Sequence, residues 1–354
     1  MEKKLEIEMH PIAKSYQYIG YAMSIIQQHP NFEEWLVDNY IQLSFDEDNI
    51  NKGVIIEFLG GTIFDSVELL DYVDSISEKK NYYMNDLHII EYIINCIDNE
   101  KYVYTMLNEF YVPYRECYQN SEFEHDCLII GYSKEREILY LIGYDEYRQY
   151  IESEIKFNEF CKAFRTADLV LKEIKMNKKG YEGSLEKFFC RIRDYLYSYD
   201  CRKNLQNYID DSNEKAFFSV KYAVHGKIYF GINTYGKILE YLQQVVEQKY
   251  ELDIRALYIL YEHKKCMYKR LGIIQGRIEF NILDIISTYE KLVEETKIIV
   301  NLGIKYILSN KLECISSIMG RIKECEMKEV ENLKELLVRG DKNRMGLSIK
   351  MCNS

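Results

Sequence analysis

The hydrophobic spacing of this chain changes along its length, and the change restricts the folds open to it. Between residues 101 and 145 three short runs, K-Y-V-Y-T-M-L-N-E-F-Y-V-P-Y, C-L-I-I-G-Y and I-L-Y-L-I-G-Y, are rich in the β-branched and aromatic residues that suit a pleated strand. The last two are separated by S-K-E-R-E, a composition fit for a hairpin turn. Three strands of an antiparallel sheet are therefore expected over 101–145. Before them the spacing is helical: residues 15–29 place Ile19, Ala22, Met23 and Ile26 on one face, with Pro30 as a stop. Trp35, Leu36, Tyr40 and Leu43 suggest a second helix or an extended segment, and V-I-I-E-F-L with Gly60-Gly61 a buried strand and turn. Asp86 to Ile97 reads as a further helix.

After about residue 155 the strand signals mostly stop. L-E-K-F-F-C-R-I-R-D-Y-L, Y-G-K-I-L-E-Y-L-Q-Q-V-V-E and the stretch from Asp253 to Gly340 carry apolar residues three or four apart, as in an antiparallel bundle. A-F-F-S-V-K-Y-A-V-H-G-K-I-Y-F fits strand and helix equally. The expected class is α+β, with a catalytic domain over 1–160 and a mainly helical, all-α bundle over 161–354. Only three prolines interrupt 354 residues, so long irregular linkers are not expected.

Several function classes are disfavoured. A formal charge of −11 opposes general binding to nucleic acid or to an anionic membrane. The ten cysteines are scattered with no C-x-x-C pair, so neither a metal site nor a disulfide scaffold is expected, and no cofactor. The opening M-E-K-K-L-E-I-E-M-H-P lacks the apolar core of a signal peptide, and no apolar run approaches the roughly 18 residues of a membrane span. A cytoplasmic location is expected. The 33 tyrosines, alongside many Ile, Lys and Asn, read as coding bias before function.

Chemistry is suggested by His125-Asp126 at the mouth of one strand and Asp145 at the end of the next, with Ser15 at the start of the first helix. Acyl transfer through a side chain needs a nucleophile, a base, and a group that fixes the base's tautomer. Ser15 would be the nucleophile, favoured by the positive end of the helix dipole, His125 the base and Asp145 the orienter. Plainer accounts stand beside each assignment. Serine before an apolar helix commonly caps it. His125 fits an exposed, salt-bridged histidine, and Asp145 fits a residue that closes a hairpin. Cys127, two residues after His125 on the strand, and Cys96, late in its helix, read better as small buried residues.

The segments S-Y-Q-Y-I-G-Y-A-M-S-I-I, W-L-V-D-N-Y-I-Q-L and Y-V-P-Y-R…F-E-H-D-C-L-I-I-G-Y-S…I-L-Y-L-I-G-Y-D resemble the N-terminal domain of the butirosin-biosynthesis protein H family. The likeness covers roughly 8–165 and extends more loosely through F-G-I-N-T-Y-G-K-I-L and D-I-R-A-L-Y-I-L-Y-E-H-K-K-C-M-Y-K-R-L. It implies a papain-like N-terminal domain whose first helix carries the nucleophile. It also implies an acyltransferase of natural-product assembly, akin to closthioamide-type amide synthases, that moves an acyl group from a carrier-protein thioester to an amine. The acyl donor would be a phosphopantetheine thioester on an acyl or peptidyl carrier protein, the acceptor a small amine; a homo-oligomer is compatible with this. His125 and Asp145 match the family's histidine and acid, whereas Ser15 stands where the family has cysteine. A cysteine replaced to stop turnover, a natural serine enzyme and a catalytically dead binding protein are then all open, as is a peptidase-type hydrolase.

One oxyanion donor would be the backbone N–H of residue 15; no glutamine precedes Ser15, and Glu8 and His10 are poor substitutes for the second. In the helical half, Arg255, Lys264, Lys265, Lys269, Arg270 and Arg277 face one acid, Glu262. That excess makes the stretch a candidate docking face for an acidic carrier protein, or an ordinary solvated helix face. His263 and Asp253 are candidates to reach the cleft, and Tyr16, Tyr18 and Tyr111 to line an acyl channel.

Overall fold

A computed structural model describes residues 1–50, 53–58, 73–80, 86–167, 170–176, 180–200 and 227–352. Gly60-Gly61 and most of the ambiguous segment 216–230 lie outside them. The fold is α+β with antiparallel sheets. The chain divides into two compact units: Met1–Phe32 with Thr62–Gly180, and Glu33–Gly61 with Tyr181–Ser354. The expected boundary near 160 is thus displaced to 180, and a piece of the N-terminal half belongs to the second unit.

In the first unit, strands β1 (Glu2–Lys4), β4 (Val73–Lys80), β5 (Tyr102–Asn108), β6 (Glu124–Ser133), β7 (Ile138–Tyr144), β8 (Tyr150–Lys156) and β9 (Val170–Met176) form one sheet in the order β4-β9-β5-β6-β7-β8, with β1 paired to β6. β5, β6 and β7 are the three strands expected, and Ser133–Glu137 joins the last two. Their apolar runs are continuous because both faces are covered. Helix α1 (Gln17–Ile26) lies on one face, where the Tyr21 ring meets Tyr104 and Tyr150 edge-on or tilted. On the other face, Ile89, Ile93 and Ile97 of α3 (Asp86–Asp98) and Phe160 and Phe164 of α4 (Phe157–Arg165) share a core with Val103, Ile129, Leu139 and Leu141. Burying two faces leaves no polar alternation to read.

β8 and β9 were not expected. β8 reads Y-I-E-S-E-I-K and lies at the sheet edge, where charges are tolerated and discourage pairing with other chains. Its Glu152 and Glu154 pair with Lys4 and Arg136.

The second unit holds α2 (Phe32–Asp38, its first residue assigned to the first unit), β2 (Leu43–Asp46), β3 (Ile56–Phe58), β10 (Ile228–Phe230), α5 (Leu185–Leu196), α6 (Asn233–Val246), α7 (Arg255–Gln275), α8 (Leu283–Ser309) and α9 (Leu312–Cys352). It is not the all-α bundle expected, since β10, β2 and β3 form a three-stranded antiparallel sheet. Strands of three or four residues, drawn from positions about 180 apart, are too short to show a period. Gly231, at φ +57°, turns the chain from β10 into α6; a Cβ there would stand 2.1 Å from the Tyr195 carbonyl oxygen, so only glycine fits.

The helices converge on one carboxylate. Glu329 of α9 accepts hydrogen bonds from Tyr195 of α5 (3.2 Å), Tyr235 of α6 (2.7 Å), Tyr289 of α8 (2.9 Å) and the Lys264 ammonium of α7 (2.5 and 2.6 Å). All five side chains are buried. Arg270 of α7 is buried too, and its guanidinium donates to the carbonyls of Leu36 (2.7 Å), Asn39 and Tyr40 (3.1 Å). It thereby satisfies acceptors that the end of α2 leaves without helical partners.

Candidate active site

The expected site residues all fall in the first unit. Ser15 is half-buried in the bend just before α1. It is not the helix cap: Tyr16 holds that position, with extended backbone and no side-chain capping bond. Just beyond it, the first residue of α1 reaches the sheet. Gln17 Nε2 lies 2.8 Å from His125 Nδ1, 2.6 Å from the Asp126 carbonyl oxygen and 3.1 Å from Asp126 Oδ1, while Gln17 Oε1 accepts from the Tyr144 amide at 3.0 Å. On the near side of Ser15, the Lys14 carbonyl accepts from the Tyr144 hydroxyl. The serine is therefore held between two attachments to β6 and β7, at the strand ends that carry His125 and Tyr144.

His125 is the second residue of β6, opposite Leu107 of β5. Its side chain is 36% exposed, enough for a substrate to approach from solvent. The Phe123 ring stacks on it at 5.4 Å. Two carboxylates flank Nδ1: Asp126 Oδ1 at 3.1 Å and Glu109 Oε1 at 3.7 Å. Burial pushes both acids above the ordinary carboxylate range, while the charges of His125 and Arg115 pull them back. Tyr21 donates to the Asp126 and Ile142 carbonyls at 3.2 and 3.0 Å, and burial raises its hydroxyl far above the usual tyrosine value, so it acts as a neutral donor.

Among the described residues Asp145 forms no ion pair with His125. Its Oδ1 accepts from the amides of Tyr147 (2.9 Å) and Gln149 (2.7 Å) and closes the β7–β8 turn. A carboxylate whose acceptor is used by its own turn follows the plainer account of that residue. The acids beside the histidine are Asp126 and Glu109, which spacing alone did not single out. The glutamine at the site, Gln17, follows Ser15 in the sequence, whereas a papain-like oxyanion glutamine would precede the nucleophile. Arg115, inside Y-V-P-Y-R, was also unmarked: its buried guanidinium donates to the Ile142 carbonyl at 3.1 Å and to that of Tyr144. It lies against Gly143, where any Cβ would stand 2.2 Å from it. Arg115 thus pins the end of β7, whose Tyr144 amide donates to Gln17.

The other candidates lie in buried or local contacts. Cys127 is buried, and burial pushes its thiol up to about 12, too high for a thiolate near neutrality. Cys96 is buried in the α3 core. Glu8 bonds the His10 amide at 2.7 Å. Tyr16 is buried and stacks on Tyr18 at 5.5 Å; Tyr111 packs edge-on against Phe110.

The basic stretch of α7 is not a free cationic face. Lys264 and Arg270 are buried, Arg255 pairs with Asp253, Lys269 with Glu33 and Arg277 with Glu34. His263 is fully buried, bonded to the Ile41 carbonyl at 2.8 Å and to Lys264 at 2.9 Å. Among the described residues no group of histidine, cysteine and acidic side chains is arranged to hold a metal ion, and no helix is long and apolar enough to cross a membrane. No family model matches the chain, and no curated protein matches it.

Proposed function

We propose that the first unit is the catalytic part of an amide-forming acyltransferase. It would move an acyl group from a carrier-protein thioester to an amine in the biosynthesis of a secondary metabolite, such as a peptide or polythioamide-type antibiotic. The observation that supports this reading is the attachment of the start of α1, two residues after Ser15, through Gln17 to a partly open histidine flanked by two buried acids. The papain-like character of the unit and the carrier-protein partner come from the family resemblance.

In this scheme His125 takes the proton of the residue-15 side chain as its oxygen attacks the thioester carbonyl. The carbon–sulfur bond then breaks and the leaving thiolate takes the proton from His125. The amine attacks the acyl-enzyme to form the new C–N bond, its nitrogen loses a proton to His125, and the bond to residue 15 breaks as His125 passes that proton to the departing residue-15 oxygen. Asp126, rather than Asp145, stands closest to balance the imidazolium. A serine hydroxyl is far less acidic than a thiol, so the chain as it stands is expected to turn over slowly, and Ser15→Cys to be the faster form.

The test is intact-protein mass spectrometry of the chain and of Ser15→Cys after incubation with an acyl thioester, with and without an amine. An acyl adduct on Ser15→Cys is expected, its formation slowed at least about 100-fold by adding His125→Ala. Amide product should form only when amine is present; acid release without amine points instead to a hydrolase. No adduct on either folded protein overturns the covalent mechanism. A catalytically dead peptidase-like protein that holds a product or carrier then becomes the better reading, one also favoured by serine at the nucleophile position.

A further inference from the structure

The neighbours of His125 Nδ1 make opposite demands on it. Asp126 Oδ1, at 3.1 Å, accepts a proton from Nδ1, whereas the Gln17 amide nitrogen, at 2.8 Å, donates one to it. Which demand prevails depends on how firmly the Gln17 amide is oriented, and its far contacts decide that. The Tyr144 backbone N–H is only a donor, so the atom 3.0 Å from it is the amide oxygen. The Asp126 carbonyl is only an acceptor, so the atom 2.6 Å from it carries hydrogen. Turning the amide over would replace both bonds with repulsive pairs in a site where Gln17 is 6% exposed. Leaving two buried polar groups unpaired costs well above thermal energy.

We propose that Gln17 is a positioning residue that keeps resting His125 in the neutral tautomer protonated on Nε2, with its basic nitrogen, Nδ1, capped by the Gln17 amide. Asp126 takes the other part of the same device. When Nδ1 gains a proton it can no longer accept from Gln17, and Nδ1–H turns to Asp126 Oδ1, with Glu109 3.7 Å away as a second negative group. The amide thus holds the neutral ring and the carboxylate the charged one, so proton uptake exchanges the ring's bond to Gln17 for one to Asp126. In the acyl-transfer reading the residue-15 proton then has to arrive at Nδ1, the one unprotonated ring nitrogen, in place of the Gln17 bond; that part rests on that reading, and the tautomer itself does not.

The experiment is a long-range proton–nitrogen correlation spectrum of the full chain labelled at histidine, recorded above the ordinary histidine range of about 6.5 and assigned by comparison with His125→Ala. In the unsubstituted protein, Nε2 of residue 125 should resonate as the protonated nitrogen and Nδ1 as an unprotonated, hydrogen-bonded one. Gln17→Glu is nearly isosteric and still accepts from Tyr144, but it has no proton to give to Nδ1; it should reverse the two signals. Should that variant not fold, Gln17→Met, which leaves only the carboxylate acceptors beside Nδ1, should likewise move the proton onto Nδ1. A proton on Nδ1 in the unsubstituted protein overturns the proposal, as does a folded Gln17→Glu or Gln17→Met protein with an unchanged pattern. No acyl donor is present in these spectra. Failure of the acyl-adduct experiment with the expected spectra therefore removes the acyltransferase reading and leaves the tautomer assignment, and the converse result does the reverse.

Discussion

Gln17 and Asp145 exchange the importance that their positions suggest. A glutamine at the start of an amphipathic helix looks like a solvated polar residue, yet it joins the helix to two strands. An aspartate at the end of the strand after His125 looks like the orienter of a catalytic base, yet its carboxylate is engaged by its own turn. Replacing each acid separates the two roles. Asp145→Ala should lower stability by about 1 kcal/mol in urea denaturation, the worth of bonds at an exposed turn, and leave adduct formation by Ser15→Cys intact. Asp126→Asn should slow adduct formation at least about tenfold, because an amide cannot balance an imidazolium. Equal effects of the two substitutions on adduct formation would restore Asp145 to the site. The histidine and the nearby acids were visible as residue types in the sequence. Which acid meets the ring was not, because that depends on the path of β6 and on how the next turn closes.

At the scale of elements, the second unit is organised around Glu329. An ionised carboxylate is costly to bury unless its lone pairs are filled and its charge is balanced, and side chains from α5, α6, α7 and α8 do both. Removing one member of such a pair strands the other. Glu329→Ala should lower stability by about 3–5 kcal/mol, measured by denaturant unfolding, since Lys264 would be left buried without its counter-charge. The double substitution Lys264→Met with Glu329→Leu should cost less than Glu329→Ala alone, because no charge is then abandoned. If it costs as much or more, the pair contributes through packing and not through charge balance. The helices were readable from their spacing: α5 occupies the stretch L-E-K-F-F-C-R-I-R-D-Y-L in full. Their meeting point was not. A glutamate in a charged stretch of α9 looks like many others until the neighbouring helices surround it.

For the molecule as a whole, the clearest pH dependence comes from the same region. Burial, the Lys264 charge and the Arg270 charge hold the His263 imidazole well below its ordinary value, while its bond to the Ile41 carbonyl opposes them. Below about 6.5 the unfolded chain therefore takes up a proton that the folded chain refuses. Stability should fall with pH in that range, by up to about 1.4 kcal/mol per pH unit, until the pH reaches the folded-state value. Glu109 and Asp126 act in the opposite sense: their raised carboxyls bind protons in the folded state first and so favour it as the pH falls. The measurement is the difference in slope between the unsubstituted protein and His263→Phe in urea denaturation between pH 7 and 5, in which those common contributions cancel. Parallel slopes would show that His263 takes a proton in the folded state.

By itself the sequence determined the class of structure and most of its elements. Apolar spacing is a local property, so α1, α3, the three central strands and the long helices of the second unit were legible before any fold was known. It also placed a serine, a histidine and several acids in segments that chemistry could use. Tertiary structure alone decided the rest. It assigned residues 33–61 to the second unit, built a small sheet from strands too short to show a period, and placed β8 at an edge where charge is allowed. It buried two cations of the α7 stretch that looked like a docking face. It also gave His125 its partners, Gln17, Asp126 and Glu109. Those outcomes depend on contacts between residues tens to hundreds of positions apart, and the fold alone brings such residues within hydrogen-bonding distance.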